Sequence, residues 1–164
     1  MSLELYGYGE SVASNIARVA LSEKNLTYKY NLIYLESRGD HLTKEYKKLN
    51  PKNLVPTLVH DELPVPDSIK IMRHIDTKYP DQGEDLFPSS LDNDTFDNLL
   101  NFVTLDESKE LGDTLGTTAG GISAPLLVKM LCKRSIFSII WDYSTKHSIK
   151  KRVPIFILLR ILGK

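Results

Sequence analysis

Cysteine is nearly absent from this 164-residue chain, with Cys132 the single thiol. One thiol builds neither a disulfide framework nor a thiolate metal cage. Net charge is absent too: 21 Lys/Arg stand against 21 Asp/Glu. The whole-chain balance therefore gives no electrostatic footprint for nucleic acid. No run reaches the ~18 uncharged apolar residues of a membrane-spanning helix. The opening MSLELYGYGE lacks a basic n-region and a long apolar h-region, so a cytoplasmic protein is expected. No internal repeat is visible. His41, His60, His74 and His147 share no ligand spacing, so no metal is expected. What is there, 41% apolar and 26% charged residues, excludes a collagen-like, coiled-coil or wholly disordered chain. The length suits one domain or two small ones.

The neutral total hides a segregation of charge. Residues 1–124 carry 12 Lys/Arg and 20 Asp/Glu, whereas residues 125–164 carry 9 Lys/Arg and only Asp142. A basic helical face is commonly just solvated. The same face also suits an acidic partner or an anionic membrane surface.

Residues 3–6 read as a strand, ended by Gly7 and Gly9. Ala13, Ile16, Ala17, Ala20 and Leu21 recur at helical spacing behind Ser11, whose hydroxyl suits an N-cap. Residues 27–35 (TYKYNLIYL) read as a second strand, and 40–49 as a short polar helix ending before Pro51. Residues 55–60 and 62–65 read as two strands joined at Asp61-Glu62. From Ser68 onward, Ile69, Met72, Ile75 and Tyr79 mark one helical face. The order is β-α-β-α-β-β-α. Residues 80–88 (PDQGEDLFP) read as a linker, 90–111 as a helix and 112–125 as a loop, because the last holds four Gly and no periodicity. Residues 126–149 and 153–162 read as helical. The division expected is 1–79, a linker at 80–88, and an all-α region at 89–164.

Four pieces in this order resemble the cytosolic glutathione transferases: LYGYGESVASNIARVALSEKN, KKLNPKNLVPTLV, the pair Asp67-Ser68 opening a helix, and the Pro-rich linker to a helical region. The spacing of Ser11, Ser14 and Arg18 is most similar to the zeta class and the tetrachlorohydroquinone reductive dehalogenase branch. The resemblance implies an α/β plus all-α fold: a thioredoxin-like domain that binds glutathione, followed by a partial helical domain. It implies a cytoplasmic homodimeric enzyme that activates the glutathione thiol for attack on a small electrophile, or for isomerisation. The 76 residues from Ser89 onward are fewer than the family's helical domain has, and no Ser/Thr-x-x-Asp cap of a core helix is found there. The alternative is a non-catalytic binding or interaction protein of the same fold, in contact with membranes through residues 125–164.

A thiolate is the reactive form of a thiol. A donated hydrogen bond and the positive end of a helix both favour it. By resemblance, Ser11 takes the catalytic serine's position; Ser14, one turn later, assists or replaces it, and either serine also serves as a cap. Val55 and Pro56 match the family's cis-proline turn, whose backbone pairs with the cysteinyl unit of glutathione like an added strand. Leu54 stands where some relatives carry Gln and offers no side-chain hydrogen bond. Asp67 and Ser68 match the pair that holds the γ-glutamyl group, although an acid at a helix start is stabilising by itself. His41 resembles the phi-class residue for the glycyl carboxylate. Ala13 departs from the dehalogenase branch, which has a cysteine there. A methyl group undergoes no thiol–disulfide exchange, so reductive dehalogenation by that route is not expected, and Cys132 lies far along the chain.

Overall fold

Leu5 and Gly7 are buried on alternate positions of the first strand, β1 (Leu3–Gly7), and this period of two sets one face of the sheet against the core. The computed structural model describes residues 2–88, 90, 92–103, 110, 113–147, 150 and 152–163. Helix α1 (Val12–Glu23) carries the chain back so that β2 (Lys29–Leu32) pairs parallel to β1. A short 3-10 turn (Asp40–Leu42) and helix α2 (Lys44–Leu49) precede β3 (Thr57–His60), which runs antiparallel to β1. β4 (Leu63–Pro66) completes a four-stranded sheet of order β2-β1-β3-β4. Asp61 and Glu62 join β3 to β4 with φ of 45° and 72°. Positive φ at both residues of a two-residue loop gives a turn whose twist matches its strands. Helix α3 (Ser68–Lys78) packs beside α1. Leu5, Ala17, Leu21, Leu58, Ile71 and Ile75, none of them exposed, form the core between these helices and the sheet. This is the thioredoxin-like arrangement that the resemblance implies.

Helices α1, α2 and α3 each start with an acceptor for the free N–H groups of the first turn. Ser11 Oγ accepts from Ser14 N–H, Thr43 Oγ1 from Tyr46 N–H, and one Asp67 oxygen from both Ile69 and Lys70 N–H. The segment read as a strand over 27–35 is paired only over β2, and the polar helix at 40–49 divides into the 3-10 turn and α2.

Helix α4 (Asn93–Val103) falls within the helix expected at 90–111; residues 91, 104–109 and 111 lie outside the described residues. Residues 112–125 are a correction. From Leu115 they belong to a helix, α5 (Leu115–Cys132), that contains Gly116, Gly120, Gly121 and Pro125. Glycine inside a helix costs only ~1 kcal/mol, which other contacts outweigh. Here the start is secured by a reciprocal cap: Thr117 N–H donates to Thr114 Oγ1 at 3.2 Å and Thr114 N–H to Thr117 Oγ1 at 3.1 Å. A Thr-x-x-Thr pair thus fills the role of the usual Ser/Thr-x-x-Glu box. The helical stretch at 126–149 divides at Ser135, which caps α6 (Ile136–Thr145); α7 (Arg152–Leu162) follows.

The chain forms two compact units, residues 1–86 with 128–164, and residues 87–127. In the first, α6 and α7 pack on each other, with the Tyr143 ring 4.9 Å from that of Phe156. In the second, the Phe87 and Phe96 rings meet at 5.0 Å, tilted by 52°, and Asp92 caps α4 through Thr95 N–H.

Candidate functional site

Tyr6 lies opposite Thr57 in the sheet, and Thr57 opposite Pro66. The end of β1, the start of β3 and the end of β4 therefore share one edge. Helices α1 and α3 both begin at that edge, so two partly positive N-termini and several free N–H groups collect there.

Ser11 is half-buried at the start of α1. Its Oγ accepts from Ser14 N–H at 3.2 Å, which leaves its O–H proton to donate outward. Ser14 differs. It is fully buried, and its Oγ accepts from Tyr8 N–H at 3.2 Å, tying the β1–α1 loop to the helix. A Cβ at Gly7 would lie 3.2 Å from the Ser14 side chain and 3.1 Å from the Tyr30 hydroxyl, a tight approach that the neighbouring side chains would have to relieve by a few tenths of an ångström.

The Val55–Pro56 peptide bond is cis. The turn before it is fixed by residues that the sequence reading did not single out. Leu54 C=O accepts from Tyr46 OH at 2.6 Å and from Asn50 Nδ2 at 2.8 Å. Asn50 Nδ2 also reaches Thr57 Oγ1 at 3.2 Å, and the Tyr46 hydroxyl lies 3.1 Å from the same oxygen. Burial pushes the Tyr46 hydroxyl up to about 12, so it stays a protonated donor. Leu54 thus acts through its carbonyl, and its side chain is exposed.

Asp67 takes φ 81° at the end of β4, a sparsely populated conformation for a residue with a Cβ. Its N–H donates to Pro56 C=O at 3.3 Å, which brings the Val55–Pro56 turn beside the Asp67-Ser68 corner. One Asp67 oxygen caps α3, while the residue itself is exposed at the edge; Ser68 behind it is only 8% exposed.

His41 has a different setting. It is 2% exposed, with its ring edge-on to His147 at 5.9 Å and tilted against Tyr143 at 6.3 Å. Burial, then the neighbouring His147 and the Arg152 and Arg134 guanidinium groups, push its imidazole down to about 3. Its carbonyl accepts from Asn53 Nδ2 at 2.6 Å, so the buried residue helps to hold the 50–56 turn. The structure therefore brings Ser11, Val55, Pro56, Asp67 and Ser68 to one edge and encloses Ser14 and His41. Two histidines distant in sequence also meet, His60 Nδ1 lying 2.8 Å from His74 Nε2. No group of three or more His, Cys, Asp or Glu side chains fit to hold a metal is found among the described residues. Cys132 points its sulfur at the Arg160 and Gly163 carbonyls near the end of α7.

A cleft of about 480 Å³ is lined by Tyr8, Gly9 and Glu10, in the loop that precedes Ser11, and by Leu32 and Tyr34. Ser11 N–H donates to Tyr8 C=O at 3.0 Å, so the serine sits at the foot of this loop.

Residues 11–78 match the family model described as glutathione S-transferase, N-terminal domain. Glutathione S-transferase Z1 of Arabidopsis thaliana is 38% identical over 79 residues, which cover 48% of this chain and 35% of the relative. A probable maleylacetoacetate isomerase of Vibrio cholerae is 38% identical over 81 residues, covering 49% and 38%. The chain thus spans well under half the length of these relatives. Among solved structures, the beta-etherase LigF of Sphingobium sp. strain SYK-6 has the same fold, with a TM-score of 0.77, 21% identity, and 98% of this chain and 63% of that one covered.

Proposed function

We propose that this chain, whose residues 11–78 form a glutathione S-transferase N-terminal domain, binds glutathione and activates its thiol for attack on a small electrophile or for isomerisation. The observation that carries the reading is the Ser11 hydroxyl. Its lone pair is engaged by Ser14 N–H, and its proton is free to donate at the edge shared by the starts of α1 and α3. A thiolate placed there gains that hydrogen bond and the positive end of α1.

Glutathione would lie along the sheet edge. The Val55 backbone beside Pro56 suits pairing with the cysteinyl unit, as an added strand pairs with an edge. The exposed Asp67 carboxylate suits the γ-glutamyl ammonium, and Ser68 with the α3 N-terminus suits its carboxylate. Ser14 and His41 belong to the site through what they hold in place, the β1–α1 loop and the 50–56 turn, and Leu54 through its carbonyl. On this reading residues 1–79 are the glutathione-binding domain, 80–88 the linker and 89–164 a partial helical domain, with no metal required.

A cytoplasmic homodimer belongs to the same proposal. So does weak contact between residues 125–164 and an anionic membrane. What supports a contact surface is the exposed set Phe137, Trp141, Leu158 and Leu162 on α6 and α7, in the basic part of the chain.

The test is a thiolate absorbance titration of bound glutathione. Ser11→Ala should raise the bound thiol's pKa, each unit being ~1.36 kcal/mol of lost thiolate stabilisation. Glutathione affinity should change little, and turnover at neutral pH should fall and partly recover at higher pH. A thiol pKa unmoved by Ser11→Ala would mean that the hydroxyl only caps α1.

A further inference from the structure

Two apolar surfaces of the larger unit stand open to solvent, a groove and a ridge. The groove has a volume of about 350 Å³. Val12, Ile16 and Val19 line it from α1, Met72 from α3, and Leu86 from the segment beyond α3. Val12 and Val19 are 45% and 58% exposed, so the groove is unfilled along α1. The ridge is on α7. Phe156 is buried, and Ile155, Leu158, Ile161 and Leu162, each more than half exposed, recur on the opposite side at three- and four-residue spacing. No charge interrupts this stripe. Arg152 and Arg160 fall on the inner half of the helix, where Arg160 Nε donates to Arg134 C=O at 2.9 Å.

A groove between two helices takes a row of aliphatic side chains, as ridges pack into grooves. Helix α7 offers such a row, whereas α6 offers the exposed rings of Phe137 and Trp141. Charge points the same way. Glu23 lines the groove, and Glu84 N–H bonds to Glu23 C=O, which sets a second acidic residue beside it. The cations of the same helices leave that end acidic. Lys24 is engaged by Asp76. Arg18 donates to Asn15 Oδ1, midway along the groove, and lies 5.5 Å over the Tyr30 ring of β2. Lys70 and Arg73 fall away from Met72 around α3. The ridge belongs to residues 125–164, with 9 Lys/Arg against Asp142 alone. Ridge against ridge would oppose like charges, whereas ridge against groove joins unlike ones.

We propose that the α7 ridge of one copy docks in the α1–α3 groove of a second copy, so that the chain self-associates through two different surfaces. The proposal names the contact of the homodimer suggested above and does not depend on glutathione. Two copies that exchange α7 close a dimer, and copies joined in series form a chain. A docked ridge is withdrawn from lipid, which leaves membrane contact to single copies.

The experiment is sedimentation of the full chain at about 5 and about 200 µM, a span in which a micromolar contact titrates. The higher concentration should give species of two or more copies. Val19→Lys in the groove and Leu158→Glu on the ridge, both at exposed positions, should each weaken association at least about tenfold. An equimolar mixture of the two variants should again form a two-copy species, because one carries an intact ridge and the other an intact groove. That rescue also shows that both variants fold. Absence of rescue overturns the proposal. Association that Leu158→Glu breaks and Val19→Lys leaves intact is ridge against ridge; it overturns this contact while the homodimer stands. A chain that stays single at both concentrations removes contact and homodimer together. If that single chain floats with phosphatidylserine-containing vesicles, the ridge serves lipid instead.

Discussion

Asp67 shows how one residue combines structure and chemistry. One of its oxygens takes two N–H groups of α3, and its φ of 81° is held by that cap and by its own N–H bond to Pro56. Two substitutions separate the roles. Asp67→Asn keeps a capping oxygen and a side chain that tolerates positive φ. It should leave folding stability within about 0.5 kcal/mol while losing the charge-assisted bond to the glutathione ammonium, about 1.5–3 kcal/mol of affinity. Asp67→Ala should lose the same affinity and about 1 kcal/mol of stability as well. Calorimetry and urea unfolding on both variants check this; unchanged affinity in Asp67→Asn would remove the carboxylate from the site. The resemblance to the glutathione transferases is what singles out Ser11, Val55, Pro56, Asp67 and Ser68, and each of them sits at a cap or a turn. Tyr46, Asn50, Asn53 and Thr57 were not legible. Their bonds run to Leu54 C=O, to His41 C=O or to one another across the fold, and such pairings leave no periodic or spacing signal.

Among the elements, α1, α3 and the segment after α3 are joined at one buried charge pair. Lys24 Nζ, on a side chain 1% exposed, lies 3.0 Å from Asp76 Oδ1, and the same oxygen accepts from Leu86 N–H at 3.2 Å. Just outside it, Glu84 N–H donates to Glu23 C=O, and Gly83 at φ 58° passes so close that a Cβ would fall 2.0 Å from that carbonyl oxygen. A lone buried ammonium is costly, so removing the acid should hurt more than removing the base. Asp76→Ala should destabilise the chain by about 3–5 kcal/mol, and Lys24→Met by less than about 2 kcal/mol. Urea midpoints measure both, and equal losses would mean that the pair acts by packing alone. At this scale the strands and helices of residues 1–79 followed from their periodicity and caps. Helix α5 did not, because three glycines and a proline in its first eleven residues read as a loop. The signal in the sequence, Thr114 and Thr117 three apart, differs from the usual box in having a hydroxyl where an acid normally stands.

Across the whole chain, the acid-rich N-terminal part and the basic C-terminal part meet in a seam within the larger unit, where the His41 ring of the 3-10 turn lies against Tyr143 of α6 and His147 just beyond that helix. His41 and His147 are 2% and 3% exposed, and Tyr143 stacks on His147 at 5.1 Å. Burial pushes His147 down to about 4, with Arg152 adding to the effect, as it does for His41 at about 3. Both imidazoles are therefore neutral when folded and take up protons near pH 6.5 when unfolded. The unfolded chain binds more protons throughout that interval, so stability must fall as the pH drops from about 6.5 towards 4. At pH 5 the loss is about 2 kcal/mol for each histidine. The other charges facing the seam set the balance. Asp142 is ion-paired with Arg134 and with Lys146, and its pKa is lowered. Glu36, 7% exposed, has its pKa raised by burial. A raised acid acts with the opposite sign: it holds its proton better when folded, which offsets part of the histidine loss above about pH 4.5. Urea unfolding at pH 7.5, 6.5, 5.5 and 5 should show stability falling below pH 6.5. The double variant His41→Gln, His147→Gln should lose most of that slope, whatever its absolute stability. A slope unchanged in the double variant would place the acid sensitivity elsewhere and leave the two rings as packing groups alone.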